Sequence, residues 1–339
     1  MIFKKMLKNL ISIKFFILLM VSPSFLFANN SDFNLWIDNF KKKAISSGIS
    51  KNVVNDVMSN AKFLPKVIEY DRYQPEFYED TYTYIKKRTN IKKVRKGLAL
   101  YKKEKLLIDK VDKKFLVEKE LLLALMGIET NFGNYLGKMD IISSLATLSF
   151  DKRRSEFFTA ELLILLKLID KDIIQKDILF GSWAGAFGNF QFMPRTIKNY
   201  AIDYNKDKTI NLKNIEDSFA SAANYLNKIG WDNNKPCFYK VELVNETPHK
   251  YLNTSAKKIK NKNKISYLKK YIKNNEIIND LDNLNAALVT PDYDIIPDAK
   301  KLSPAYVVFD NYELILKWNR SLRFALAVCT LKSKFKNAI

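Results

Sequence analysis

Histidine and cysteine are nearly missing from this sequence: 339 residues hold one histidine, His249, and two cysteines, Cys237 and Cys329. That excludes a His-rich or Cys-cluster zinc centre, and any His-based catalytic triad would depend on His249 alone. The two cysteines could pair in an oxidising compartment, but cysteines this sparse are more often simply buried, and no bond is expected. Glycine and proline are scarce too, nine of each, which excludes collagen-like and low-complexity chains. Beyond the first 28 residues no segment is apolar enough to span a bilayer. Acids are in deficit, giving a net charge of +21, but lysine is spread along the whole chain. No basic, aromatic-interleaved motif stands out, so nucleic acid is not an expected partner; an anionic polymer such as a cell wall suits the charge equally well. With 47% hydrophobic and 27% charged residues the make-up is that of an ordinary globular chain. At this length roughly three quarters of the unfolded surface can be buried without staples.

Residues 1–28 read as a secretory signal. Lys4, Lys5, Lys8 and Lys14 form a basic start without an acid. Phe15 to Phe27 is a short apolar stretch, interrupted at Ser22-Pro23-Ser24 and below the roughly 18 residues a bilayer requires. Ala28 offers a small residue for cleavage, with an uncleaved anchor as the alternative. No cysteine follows for a lipid anchor, and removing the segment takes four lysines from +21 and leaves +17. The expected product is an exported, periplasmic monomer with no transmembrane segment.

Six of the nine glycines (Gly127, Gly133, Gly137, Gly181, Gly185, Gly188) crowd between 127 and 188. In a chain that otherwise avoids glycine, this marks where backbone bends sharply or lies close to something. Most of the rest reads as helix. Phe33 to Met58 carries apolar residues at helical intervals, Val117 to Ile128 is a nearly continuous apolar run, and Glu156 to Ile169 is similar. Ile215 to Ile229 is amphipathic and ends at Gly230, and Leu322 to Phe335 closes the chain. Residues 257–274 are rich in Lys and Asn and read as a solvated insert or polar helix with nothing that demands a core. Ala305–Phe309 and Glu313–Trp318 alternate like two strands of a hairpin across Asp310-Asn311-Tyr312. The fold class is therefore mainly α (α+β). The parts are a signal at 1–28, a helical segment at 29–115, a catalytic core at 116–235, and a small β element with the Lys-rich insert and closing helix at 236–339.

Two constellations carry chemistry. In Gly127-Ile128-Glu129-Thr130-Asn131-Phe132-Gly133 a lone carboxylate ends an apolar helix. Buried without a cation, such a carboxyl is held protonated and can donate to a leaving oxygen; exposed, it is an ordinary helix-end Glu. In Gly181 to Pro194, small residues alternate with aromatics. Small residues let a polymer lie close to backbone, aromatics give flat faces for sugar rings, and Ser182 and Gln191 supply hydrogen bonds; tight helix packing is the alternative. A third segment, Asp203, Asn205, Asp207 and Thr209 with Asp217 beyond, sets oxygen ligands at alternate positions like the opening of an EF-hand loop. Lys208 stands where the turn glycine belongs, and position twelve is Asn214.

Taken together, Glu129-Thr-Asn-Phe-Gly, Ala146–Phe150, Arg153-Arg154, the run 181–194, Ala222–Leu226, Gly230-Trp231 and Leu316–Ser321 resemble the lytic murein transglycosylases of the membrane-bound lytic transglycosylase B family. The resemblance spans about residues 32–335, with 124–231 its most specific part. It implies a lysozyme-like core and cleavage of the β-1,4 MurNAc–GlcNAc bond of peptidoglycan with a 1,6-anhydro product. Glu129 matches the family's catalytic acid. Arg153 and Arg154 match paired arginines suited to anionic groups of the peptide stem, with a helix-start salt bridge as their alternative role. Ser182, Gln191, Tyr84, Tyr225 and Asn319 match cleft residues. Two positions depart, with Trp318 where the family commonly has Tyr and Phe324 where another Tyr can stand. Relatives carry an oxygen-rich loop closed by an Asp where Asp217 stands, which implies a structural Ca²⁺ held by Asp203, Asn205, Asp207, Thr209 and Asp217; no cofactor is expected for the chemistry. The general glycosidase pattern needs two carboxylates, whereas the Gly-rich region offers one obvious candidate. A substrate that supplies its own nucleophile removes that need. A silent wall-binding protein and a hydrolytic muramidase remain the competing readings, with Asp140 and Asp151 near by in sequence.

Overall fold

The computed structural model describes residues 30–73 and 79–339; the proposed signal at 1–28 lies outside them. The amphipathic run from Phe33 is two helices, α1 (Asn30–Ser46) and α2 (Lys51–Met58). They are broken by Gly48 at φ +86°, and Ser50 caps α2. Then come α3 (Pro65–Arg72), α4 (Thr81–Arg88), α5 (Ile91–Lys103) and α6 (Lys105–Phe115). The apolar run at 117–128 is α7 (Lys119–Thr130), in which Leu121 to Gly127 are all buried. A helix apolar all round must be enclosed, and α7 packs against α5, α6 and two later helices, α11 (Ile215–Ile229) and α14 (Leu322–Lys336). Between them lie β1 (Met139–Asp140), α8 (Ile141–Phe150), α9 (Ser155–Asp170), β2 (Phe180–Gly181) and α10 (Pro194–Tyr200). The short β1 and β2 pair antiparallel, with Met139 opposite Gly181.

A sheet covers one side of the helices. Its strands are β3 (Phe238–Val241), β4 (Leu252–Asn253), β5 (Asn263–Lys264), β6 (Asn285–Val289) and β7 (Ala305–Val308), ordered β3-β7-β6-β4, with β5 also on β6. All pairings are antiparallel except β4 with β6. Strand alternation feeds two cores. Ala287, Val289, Tyr306 and Val308 face the main helical core, whereas Ala286, Leu288, Ala305, Val307 and Phe309 face a second, smaller one.

Three expectations are corrected. The Lys-rich insert does demand a core: Ile265, Leu268 and Ile272 fill the second cluster, with α12 (Ile265–Leu268) between strand and loop, and Ile259 joins the main one. Residues 310–318 are a helix, α13 (Asp310–Trp318), instead of the second strand of a hairpin. Its acids Asp310 and Glu313 lie in the first turn and Lys317 in the last, matching the helix dipole, and β7 finds its partners in β3 and β6. Cys237 and Cys329 are joined in a disulfide, because β3 brings the segment before it against α14.

Candidate active site

Glu129 sits in the last turn of α7. The chain then leaves the helix through three successive left-handed residues, Asn131 (φ +50°), Phe132 (φ +61°) and Gly133 (φ +78°). The Thr130 hydroxyl secures this turn: it accepts the Gly133 N–H at 3.1 Å and donates to the Asn189 carbonyl at 2.8 Å. The end of α7 is thus tied to the Gly-rich segment. Lys93 of α5, half-buried, donates to the Gly127 carbonyl at 2.6 Å, where the helix end concentrates partial negative charge.

The segment 182–192 is a folded loop. The Ser182 hydroxyl accepts the Ala186 N–H at 2.9 Å, and Phe187 and Phe192 exchange both backbone hydrogen bonds. Between them the chain turns through Gly188 (φ +78°) and Gln191 (φ +51°). A Cβ on Gly188 would stand 2.4 Å from the Cβ of Leu212, so glycine is required there. The Gln191 amide donates to the Gly188 carbonyl at 2.8 Å and to the Leu136 carbonyl at 3.3 Å. Asn189 anchors the loop to α11 through Ser218 at 3.0 Å.

The loop aromatics and the end of α13 form a wall beside Glu129. Trp318 donates its indole N–H to Glu129 Oε1 at 3.0 Å. The Trp318 ring stacks on Tyr225 at 5.1 Å and meets Phe192 edge-on at 5.3 Å and Phe190 at 6.2 Å. Tyr200 closes on Tyr225 at 4.5 Å, and the Tyr225 hydroxyl donates to the Lys317 carbonyl at 3.2 Å. Burial drives the Glu129 carboxyl from 4.5 up to about 8, against the lowering effect of the Trp318 hydrogen bond. Among the described residues no cation pairs with it. Burial also pushes the Tyr225 phenol up to about 12, so it stays neutral.

The other sequence-predicted residues divide. Arg153 and Arg154 both grip the buried carboxylate of Asp71 on α3, Arg153 through Nε at 2.6 Å. This is the salt-bridge role anticipated as their alternative, although both guanidinium groups remain about two-fifths exposed. Arg154 and Asn319 line one open cavity of about 640 Å³, together with Thr254, Lys257, Asp294 and Arg320. Tyr84 is buried on α4 with the Arg88 guanidinium 3.5 Å from its ring centre, and no described contact joins it to Trp318 or Glu129. His249 lies edge-on to Tyr293 and takes no part in the site.

In the expected calcium loop, Asp203, Asn205 and Asp207 crowd one turn, and Lys208 adopts φ +77° at the place of the usual glycine. Asp217 is fully buried; Oδ1 accepts the N–H of Tyr204 at 2.8 Å and Oδ2 that of Asn211 at 3.0 Å. Among the described residues no three His, Cys, Asp or Glu side chains converge as a metal centre.

Sequence reasoning missed the part played by Trp318, noted only as a departure, and the partner of the arginine pair, Asp71, which lies some 80 positions upstream without any local signal. Of the aromatics at 183–192, Phe187, Phe190 and Phe192 pack in the core, which is the alternative read from the sequence, and Phe190 and Phe192 back Trp318 instead of presenting faces to a sugar.

The chain is similar in sequence and fold to known proteins. The sequence profile described as "Transglycosylase SLT domain" matches residues 32–333. The chain is 32% identical over 215 residues to the membrane-bound lytic murein transglycosylase B of Escherichia coli (strain K12), covering 60% of this chain and 59% of that relative. It thus spans less than two thirds of the curated relative it matches. SltB3 from Pseudomonas aeruginosa, solved with NAG-anhNAM-pentapeptide, superposes with a TM-score of 0.79 at 30% identity, over 90% of this chain and 79% of that one. The Escherichia coli lytic transglycosylase Slt35 in complex with calcium superposes at 0.72 with 26% identity, over 92% of this chain and 95% of that one.

Proposed function

This chain belongs to the transglycosylase SLT domain family, and we propose that it is a lytic transglycosylase that cleaves the β-1,4 MurNAc–GlcNAc bond of peptidoglycan with Glu129 as its single catalytic carboxyl group. The observation that carries the reading is Glu129 itself, half-buried against an aromatic wall, free of any described cation and held near a pKa of about 8. A carboxyl of this kind is protonated at neutral pH and can serve as a general acid. Glu129 gives its proton to the glycosidic oxygen as the C1–O bond breaks. The resulting carboxylate takes the proton from the 6-hydroxyl of the same sugar, whose oxygen closes on C1 to form the 1,6-anhydro ring. The acid is regenerated and water is not consumed. The half-buried Trp318 ring, backed by Tyr225, suits a sugar face. The arginine-bearing cavity beside Asn319 suits the carboxylates of a peptide stem.

Export to the periplasm is part of the same proposal. The basic, apolar N-terminus and a disulfide that requires an oxidising compartment support it. Among the described residues no helix is long and apolar enough to cross a membrane. We also propose that Ca²⁺ takes the loop edge formed by Asp203, Asn205, Asp207 and the Thr209 carbonyl. Asp217, which accepts the backbone N–H groups of Tyr204 and Asn211, is the expected closing ligand, and Lys206 and Lys208 weaken the affinity. Calorimetry with Ca²⁺ showing no heat of binding would remove the ion from the account.

The decisive experiment is mass spectrometry of muropeptides released from purified peptidoglycan by wild type and by Glu129→Gln. Anhydro-muropeptides from wild type alone are expected. Reducing-end products would make the protein a hydrolytic muramidase, and no products from either protein would point to a silent wall-binding role.

A further inference from the structure

The proposal that Glu129 is the acid leaves open which of its two oxygens holds the proton. We propose that Trp318 is a positioning residue that decides this, fixing Oε1 as a permanent acceptor and leaving Oε2 as the oxygen that gives up and regains the proton. The inference rests on the catalytic reading above. Its geometric basis is the 3.0 Å contact from Trp318 Nε1 to Glu129 Oε1. An indole N–H can only donate. Oε1 must therefore accept, whether the carboxyl group is charged or neutral, and because the carbonyl oxygen is the better acceptor of a neutral carboxyl group, the hydrogen is favoured on Oε2 in that form. A tyrosine hydroxyl, the group the family commonly carries at this position, can donate or accept and imposes no such choice.

The ring has little freedom to relax away from this contact. It is stacked on Tyr225 and wedged against Phe190 and Phe192, both of them 2% exposed. Tyr225 is pinned in turn to the Lys317 carbonyl. Phe324, the second departure, is buried and offers no hydroxyl. Among the charged groups on the surrounding elements, Lys93 of α5 is engaged with the Gly127 carbonyl, Lys332 and Arg323 of α14 with Glu118 and Asp292, and Asp112 of α6 with Lys119, while Lys317 of α13 is exposed. Trp318 is then the polar contact that follows the charge of Glu129 through the reaction. The contact strengthens when the proton leaves, because a hydrogen bond to a charged acceptor is stronger than one to a neutral acceptor.

The test has two arms on the intact protein. The chain holds four tryptophans, so the indole N–H signals of ¹⁵N-labelled wild type can be followed through pH. One of them is expected to titrate with Glu129 and to become pH-independent in Glu129→Gln. If no indole signal follows Glu129, the proposal is overturned, and this arm needs no variant of Trp318 to fold. In the second arm, Trp318→Phe keeps the aromatic face and removes the donor. On peptidoglycan, kcat is expected to fall about tenfold with KM unchanged within about twofold. The alkaline limb of the kcat profile should move up by about one pH unit, as the carboxylate loses its donor. A rise in KM with an unmoved pH profile would make Trp318 a sugar platform only and overturn the proposal. Full turnover by Glu129→Gln would instead overturn the catalytic reading, a result separable from the indole titration.

Discussion

Glu129 couples this protein's stability to pH. In the unfolded chain its carboxyl ionises near 4.5, and in the fold near 8. The native state holds the proton more tightly, so the contribution is complete below the unfolded value and is lost as pH rises through the folded one. Glu129→Gln, neutral at every pH, is expected to melt at a progressively higher temperature than wild type between about pH 5 and about pH 9. The limit is about 1.4 kcal/mol per unit inside the window. Melting curves that stay parallel across that range would show that burial does not perturb the group. Glycines separate on the same scale. At Gly188, with φ +78°, an added Cβ meets Leu212 backbone and side chain at 2.4–2.8 Å. Gly188→Ala should therefore cost about 3 kcal/mol or more and reduce turnover by displacing the hairpin that carries Gln191. At Gly48, also left-handed at φ +86°, nothing lies within 4 Å, and Gly48→Ala should cost only about 1 kcal/mol. Urea unfolding of the two variants side by side checks the contrast.

At the scale of elements, the site is assembled from segments far apart in the chain. Helix α7 supplies the acid, the 182–192 loop supplies backbone and aromatic walls, and α13 delivers Trp318 from almost two hundred residues away. The Cys237–Cys329 bond staples the segment before β3 to α14, which packs directly on α7. Its closed loop is long, with a sequence separation of 92, so it restricts the unfolded chain strongly. The double variant Cys237→Ala/Cys329→Ala is expected to lose about 2–4 kcal/mol of stability without any change to the catalytic group. Denaturant melts of the oxidised protein and the double variant measure it, and coincident curves would mean that packing alone holds the contact. The helix α13 shows why a short alternating segment misleads. Over 310–318 a period of 2 and a period of 3.6 fit almost equally well. The choice was made by Tyr312 and Ile315, which bury against the main core, and by the Tyr312 hydroxyl, which donates to the Leu322 carbonyl at 2.8 Å.

For the molecule as a whole, the sheet is the hinge of the architecture, since strands β6 and β7 are buried on both faces and divide a large helical core from a small one. The polar insert at 257–274 survives because a few isoleucines and leucines, three or four residues apart, reach that small core while its lysines stay in water. By itself the sequence determined the local events whose cause is local. The apolar run of α7, the glycines that permit left-handed turns after it and within 182–192, the αL stop at Gly230 and the lone Glu129 were all legible, because periodicity and steric freedom act over a few residues. Only the tertiary structure decided the events that depend on distant partners. It gave Arg153 and Arg154 to Asp71, joined Cys237 to Cys329, turned Asp217 onto backbone amides, and set the Trp318 indole on one oxygen of Glu129. Burial and hydrogen bonding fix a carboxyl's protonation and the use of each of its oxygens, and both are properties of the packed chain.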